Sequence, residues 1–239
     1  MEINYRLTNN AWYEYPSFIK KWIARTNPTK ICDIGGGANP ILDLDFVISR
    51  NMKYTILDIS RSELDKSHDG YDKEVQDVES LDFNLQNRFD FVFSKALAEH
   101  IKDAGVFHRN VFQMLKPGGV AIHYFPTLYA LPFVINKLVP DQLSSVLLDI
   151  FAPRDKFKQS KFRAYYNWCF GPTPAMLNML ESVGFEILEF NALIGNVYYE
   201  KIPLLRNLHY IYSKYLFQHP NPYLTSFAQI VLKKRVHQV

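Results

Sequence analysis

Cysteine is scarce: Cys32 and Cys169 are the only two among 239 residues. Two thiols cannot make the framework of a small secreted scaffold, and Cys32 falls inside an apolar strand pattern. Both are expected to be reduced thiols in a cytoplasmic protein. Neither sign of charge is in excess, since 27 Lys and Arg against 24 Asp and Glu leave a formal net charge of +3. That is too mild for a phosphate-tracking surface, so a nucleic-acid partner is not expected. Long apolar runs are missing too. The greasiest, Leu128 to Ile135, is short and broken by Pro132, and Met1-Glu2-Ile3-Asn4-Tyr5-Arg6 lacks the basic and apolar regions of a signal peptide. Neither a membrane span nor a leader is expected. There is no His-Glu-x-x-His and no Cys-x-x-Cys, so no metal is expected, and no internal repeat or low-complexity tract interrupts the chain.

What is present is ordinary globular composition, 48% hydrophobic and 21% charged, enough to bury the core of one α/β domain over residues 1–239. Residues 1–29 read as a helical lead-in, with Trp12, Tyr15, Phe18, Ile19, Trp22 and Ile23 at helical spacing. Next comes Lys30-Ile31-Cys32-Asp33-Ile34-Gly35-Gly36-Gly37-Ala38-Asn39-Pro40, which reads as strand, tight turn and helix, with Asn39 as N-cap and Pro40 at the first helical position. Glycine lacks a Cβ, so Gly35, Gly36 and Gly37 let backbone N–H groups approach a ligand closely. A dinucleotide fingerprint needs glycine where Pro40 stands, and the Asp33 carboxylate repels a pyrophosphate while suiting a ligand that carries ammonium and sulfonium charge.

Tyr54 to Ile59 reads as a second strand ending in an acid, and Ser60-Arg61-Ser62-Glu63 as the capping box of the next helix. Asp58 lies roughly 20 residues beyond the glycines, where an acid accepts hydrogen bonds from both ribose hydroxyls of a nucleoside. Further strands are expected at Glu74–Val78, Phe89–Ser94 and Val120–Phe125, with Lys116-Pro117-Gly118-Gly119 turning into the last of these. A capped helix over Thr173 to Gly184 leads into a strand, and a final strand covers Ser226 to Leu232.

Together, Asp33-x-Gly35-x-Gly37, Asp58, Asp77, the strand before Leu97-Ala98-Glu99-His100 and the Lys-Pro-Gly-Gly turn resemble the class I S-adenosylmethionine-dependent methyltransferases, with Asn39 replacing the usual third glycine. The resemblance covers residues 30–125, and 173–232 more weakly. It implies a Rossmann-like α/β fold, a mostly parallel seven-stranded sheet whose last strand is antiparallel, carrying helical cap insertions. It further implies S-adenosylmethionine as cofactor, held by Asp33, Gly35, Gly36 and Gly37, by Asp58 and Ile59, by Asp77 and Val78 at the adenine, and by Ser94 and Lys95 at the methionine end.

Residues 126–171 and 192–225 fall outside the common sheet and are expected to be caps that hold the acceptor. Arg163, Tyr165, Tyr166 and Trp168 are its candidate contacts. The acceptor is expected to be a small molecule or a lipid- or glycan-linked intermediate, methylated on oxygen. His123 at the end of the fifth strand is the first candidate general base, His100 beside Glu99 the second. The basic, aromatic run from Lys201 to Lys214 offers weak peripheral contact with a membrane surface. Two other readings remain: a non-catalytic S-adenosylmethionine-binding module or partner subunit, and a nicotinamide oxidoreductase, which Asp33 and Pro40 disfavour.

Overall fold

Ile31–Ile34, Tyr54–Leu57 and Phe91–Ser94 are apolar on both faces, the signature of inner strands in a parallel sheet. A computed structural model describes residues 1–130, 132–134 and 163–236 and joins these strands at the centre of an eight-stranded sheet. The strands are β1 (Glu2–Leu7), β2 (Lys30–Ile34), β3 (Lys53–Asp58), β4 (Asp72–Val75), β5 (Phe89–Lys95), β6 (Leu115–Pro126), β7 (Phe185–Ile194) and β8 (Phe227–Lys234). Their spatial order is β1-β7-β8-β6-β5-β2-β3-β4. Every neighbouring pair is parallel except the two that β8 makes with β6 and β7. The order reverses between β2 and β5, which opens a crevice at their carboxyl ends.

Helices cover both faces. On one, α1 (Ala11–Thr26) buries Tyr15, Ile19, Trp22 and Ile23 against Phe91, Phe93, Ile122 and Tyr124. On the other, α4 (Ala104–Met114) and α5 (Pro174–Val183) pack Phe107, Val111 and Leu180 on Val92, Ala121 and Ile230. The short α2 (Leu44–Ser49) and α3 (Arg61–Leu64) flank the first face, and α6 (Pro203–Gln218) lies near β1 and β7. Caps follow the sequence: Ser60 Oγ accepts from Glu63 N at 3.3 Å, and Thr173 Oγ1 from Met176 N at 3.2 Å. Gly184 closes α5 at φ 112°.

Three expectations are corrected. The sheet has eight strands, because Glu2–Leu7 pairs in parallel register with Glu189–Ile194 ahead of the lead-in helix. This edge strand is largely exposed and is held by main-chain pairing, so it carries no alternating apolar pattern to read. Asn39-Pro40 does not start a helix. Residues 35–43 form a loop, and α2 begins at Leu44 under an Asp43 side chain that accepts from Phe46 N at 2.8 Å. The strand expected at Glu74–Val78 is the edge strand β4 and spans Asp72–Val75, which leaves Asp77 and Val78 in the following turn. The first expected cap, 126–171, lies mostly outside the described residues, while the second, 192–225, carries α6.

Candidate functional site

The crevice is built on the turn after β2. Gly35 (φ +75°) donates its N–H to Leu57 O at 2.7 Å, and Gly37 takes φ +38°. A Cβ at Gly37 would stand 2.9 Å from Asp58 Oδ2, so only glycine lets this turn close on the acid at the tip of β3. Asp58 is half-buried, and its Oδ1 accepts from Ser60 N at 2.9 Å. Burial raises its pKa above the ordinary carboxylate value. Beside it Ile59 is 64% exposed.

Asp33 has a different role from the one its position implies. The side chain is 1% exposed, lies beneath the turn, and accepts at Oδ2 from Tyr54 OH at 2.6 Å and from Ile41 N at 2.9 Å. It braces the loop from below, and its charge is turned away from solvent. Burial pushes its pKa up to about 7, against the opposing pull of those hydrogen bonds and of Lys95. The folded chain therefore keeps a proton that the unfolded chain releases near 3.8. The stability this proton contributes is complete below the unfolded value and is lost as pH rises through the folded one. Melting temperature is expected to fall between about pH 4 and about pH 7. A scanning-calorimetry series checks this, and the fall should vanish in Asp33→Asn.

Asp77 is exposed at the turn after β4, where its Oδ1 accepts from Glu79 N at 2.8 Å. Its neighbour Val78 is buried and its carbonyl accepts from Asn110 Nδ2 at 2.9 Å. At the tip of β5, Lys95 Nζ sits 3.9 Å from the centroid of the Trp12 ring. Burial, opposed by Asp33, lowers its pKa to about 8. Ala96 follows at φ +51°, and Leu97 packs against Gly35. Tyr15 OH donates to Ser94 O (2.8 Å) and to Ile122 O (3.1 Å), fastening α1 over β5 and β6. Trp12 and Tyr15 were legible only as members of an apolar stripe. The clue was that a tyrosine at a buried helical position needs an acceptor for its hydroxyl.

The glycines, Asp58, Asp77 and Lys95 thus gather along the carboxyl edge of β2 to β5. Other expected residues do not join them. His123 is fully buried on the α4 side, with Nδ1 2.8 Å from Ser94 Oγ and its ring against Phe107 and His108. Burial lowers its pKa to about 3, and the ring forms part of the wall between β6 and α4. Ser94 is likewise turned inward, onto His123. His100 braces a loop, Nδ1 lying 2.9 Å from Arg163 O. Tyr165 N and Tyr166 N both donate to Glu99 O, at 2.7 and 3.0 Å, and Trp168 stacks on His108 at 5.5 Å. Of the expected acceptor contacts, Tyr166 is buried and Trp168 packs on α4, while Arg163 is exposed over Tyr165. A separate cavity of about 610 Å³ lies at the β1–β7 end of the same edge, lined by Asn9, Asn196, Tyr199, Arg206 and Tyr210.

Residues 32–123 match the family described as Methyltransferase domain, a span that runs from β2 through the middle of β6. Over that span the chain is similar to a methyltransferase domain. A ubiquinone biosynthesis O-methyltransferase of Bradyrhizobium diazoefficiens is 33% identical in an alignment of 145 positions that covers 50% of this chain and 56% of that protein. The chain thus spans little more than half the length of this curated relative. An S-adenosylmethionine-dependent methyltransferase of Mesorhizobium loti shares the fold, with TM-score 0.56 at 17% identity over 92% of this chain and 97% of that one. The phosphoethanolamine N-methyltransferase 2 of Haemonchus contortus, solved with S-adenosyl-L-methionine, aligns at TM-score 0.54 and 15% identity, over 94% of this chain and 53% of that one. Within the matched span, the glycine turn follows β2, Asp58 ends β3 and Asp77 lies in the turn after β4, all at the carboxyl edge of the sheet.

Proposed function

We propose that the chain transfers a methyl group from S-adenosylmethionine to an oxygen atom of a small-molecule acceptor. The observation that carries this reading is the glycine turn folded directly onto the Asp58 carboxylate, a cradle that any Cβ at position 37 would fill. These residues fit the cofactor: Asp58 accepts from ribose hydroxyls, Ile59 offers apolar surface, and Asp77 with Val78 meets the adenine edge. Bound there, the cofactor supplies a sulfonium methyl whose positive charge disappears on transfer. Trp12 and Lys95 pair on the β5 side of the crevice, a fixed wall that favours a reaction governed by alignment. Above about pH 8 the Lys95 Nζ is a neutral amine and can hold a proton released by an acceptor hydroxyl. Oxygen as the accepting atom is supported by the O-methyltransferase relative. A lipid- or glycan-linked acceptor is a narrower form of the same reading.

Calorimetric titration with S-adenosylmethionine and S-adenosylhomocysteine, with reduced nicotinamide cofactor as control, tests the site. Product detection by mass spectrometry across phenols, alcohols, carboxylates and amines tests the chemistry. Micromolar binding and a methylated oxygen are expected. Binding without product across the panel would favour a binding module, a reading to which the burial of both His123 and Ser94 lends some weight.

His123→Asn is expected to lower stability by about 1–3 kcal/mol, because it removes a buried ring and its bond to Ser94. Cofactor affinity and the pH dependence of turnover should not change. Chemical denaturation together with a pH–rate profile checks both halves; a lost pH limb would return His123 to the catalytic role.

A further inference from the structure

Helix α6 is amphipathic the wrong way round. Its inner face consists of Ser213 and Leu216, both buried, with Arg206 and His209 at the cavity. Leu204, Leu208, Ile211 and Tyr215 follow one another at spacings of four, three and four, which sets them along one line of the helix. Their exposures are 70%, 55%, 65% and 58%, so the line faces outward along nearly the whole helix. Ordinary packing buries such a stripe.

The surroundings say what would cover it. Tyr212, four residues on from Leu208, is also exposed and sets a polar-tipped aromatic beside the stripe, to which Tyr215 adds another. Lys201 and Lys214 flank it, and the chain has no Asp or Glu after Glu200. An aliphatic stripe with tyrosines at its side, Lys214 beside it and no acid from Lys201 onward matches the layers of an anionic lipid surface. A protein partner would need none of this ordering. Among the described residues no helix is long and apolar enough to cross a membrane, so α6 would lie in the plane of the interface.

We propose that the outward face of α6 docks the chain on anionic bilayers. The proposal is independent of the methyl-transfer reading, since it needs no cofactor and no acceptor. The test is co-sedimentation of the full chain with vesicles of phosphatidylcholine alone and with about one-third phosphatidylglycerol. Binding to the anionic vesicles should be several-fold stronger and should weaken as salt rises from about 0.1 M to about 0.5 M. The double variant Leu208→Asn, Ile211→Asn should bind about tenfold or more weakly with an unchanged melting curve, because both side chains already face outward. Lys214→Glu should weaken binding to the anionic vesicles alone. Absence of binding, or equal binding by the double variant, would overturn the proposal. So would a dimer in light scattering that the double variant abolishes without any vesicle binding, which would assign the face to a second copy.

Discussion

Asp58→Ala is expected to weaken S-adenosylmethionine binding by about 10- to 100-fold, corresponding to the loss of charge-assisted hydrogen bonds of about 1.5–3 kcal/mol. The carboxylate is half-buried at the tip of β3, and its free side faces the glycine turn. Its Oδ1 also accepts from Ser60 N, so the start of α3 will loosen slightly. Asp58→Asn keeps an acceptor for that backbone bond while removing the charge, and should fall between wild type and alanine. Calorimetry on all three proteins, with circular dichroism to confirm folding, decides the matter. Equal affinities would move the ribose contact away from Asp58.

Gly36→Ala should combine the largest loss of stability with loss of the site. A Cβ there would meet Asp33 Cγ and Oδ2 at 2.9 Å and Ile56 Cγ2 at 3.0 Å. None of these can retreat easily. Asp33 is held by Tyr54 and Ile41, and Ile56 is fully buried in the inner strand β3. The turn must lift, at a cost of about 1–3 kcal/mol typical of overpacking, and the backbone groups that frame the ligand move with it. Chemical denaturation should show the reduced stability, and titration should show little or no cofactor binding in the protein that remains folded. A variant with wild-type stability and affinity would mean that the turn is not clamped between these two side chains.

The cofactor half of the site was legible because its chemistry demands particular residue types at strand tips. Glycines at 35 and 37 and an acid at 58 announce a backbone that must bend and a hydroxyl that must be held. The acceptor half was not. His123 occupies the end of an inner strand, and a sequence cannot tell which side of the sheet such a side chain faces until the register is known. β6 pairs Ser94 with His123 and sends both into the α4 layer. Asp33 looked like a ligand contact because nothing local reveals Tyr54, a strand away, waiting to bond it. The edge strand β1 escaped notice because it buries almost nothing, and the helical stripe of α6 was readable in period but not in direction.

The pairing of β1 with β7 joins segments far apart in the chain, Glu2 lying against Glu189. β1 therefore has no neighbour until β7 has been synthesised. During that interval the inner strands can assemble, because β2, β3 and β5 are close in sequence and local contacts form fastest. The opening segment must remain unpaired meanwhile, and its exposed, charged side chains, Glu2 and Arg6 among them, keep it from adhering to other growing chains. Closure of β1 on β7 is thus a long-range contact that local pairing precedes. It brings Thr8 N onto Ile194 O and fixes the start of α1, whose Tyr15 then seals β5 to β6. Docking of the segment that seals the crevice thus waits on residues far downstream of it.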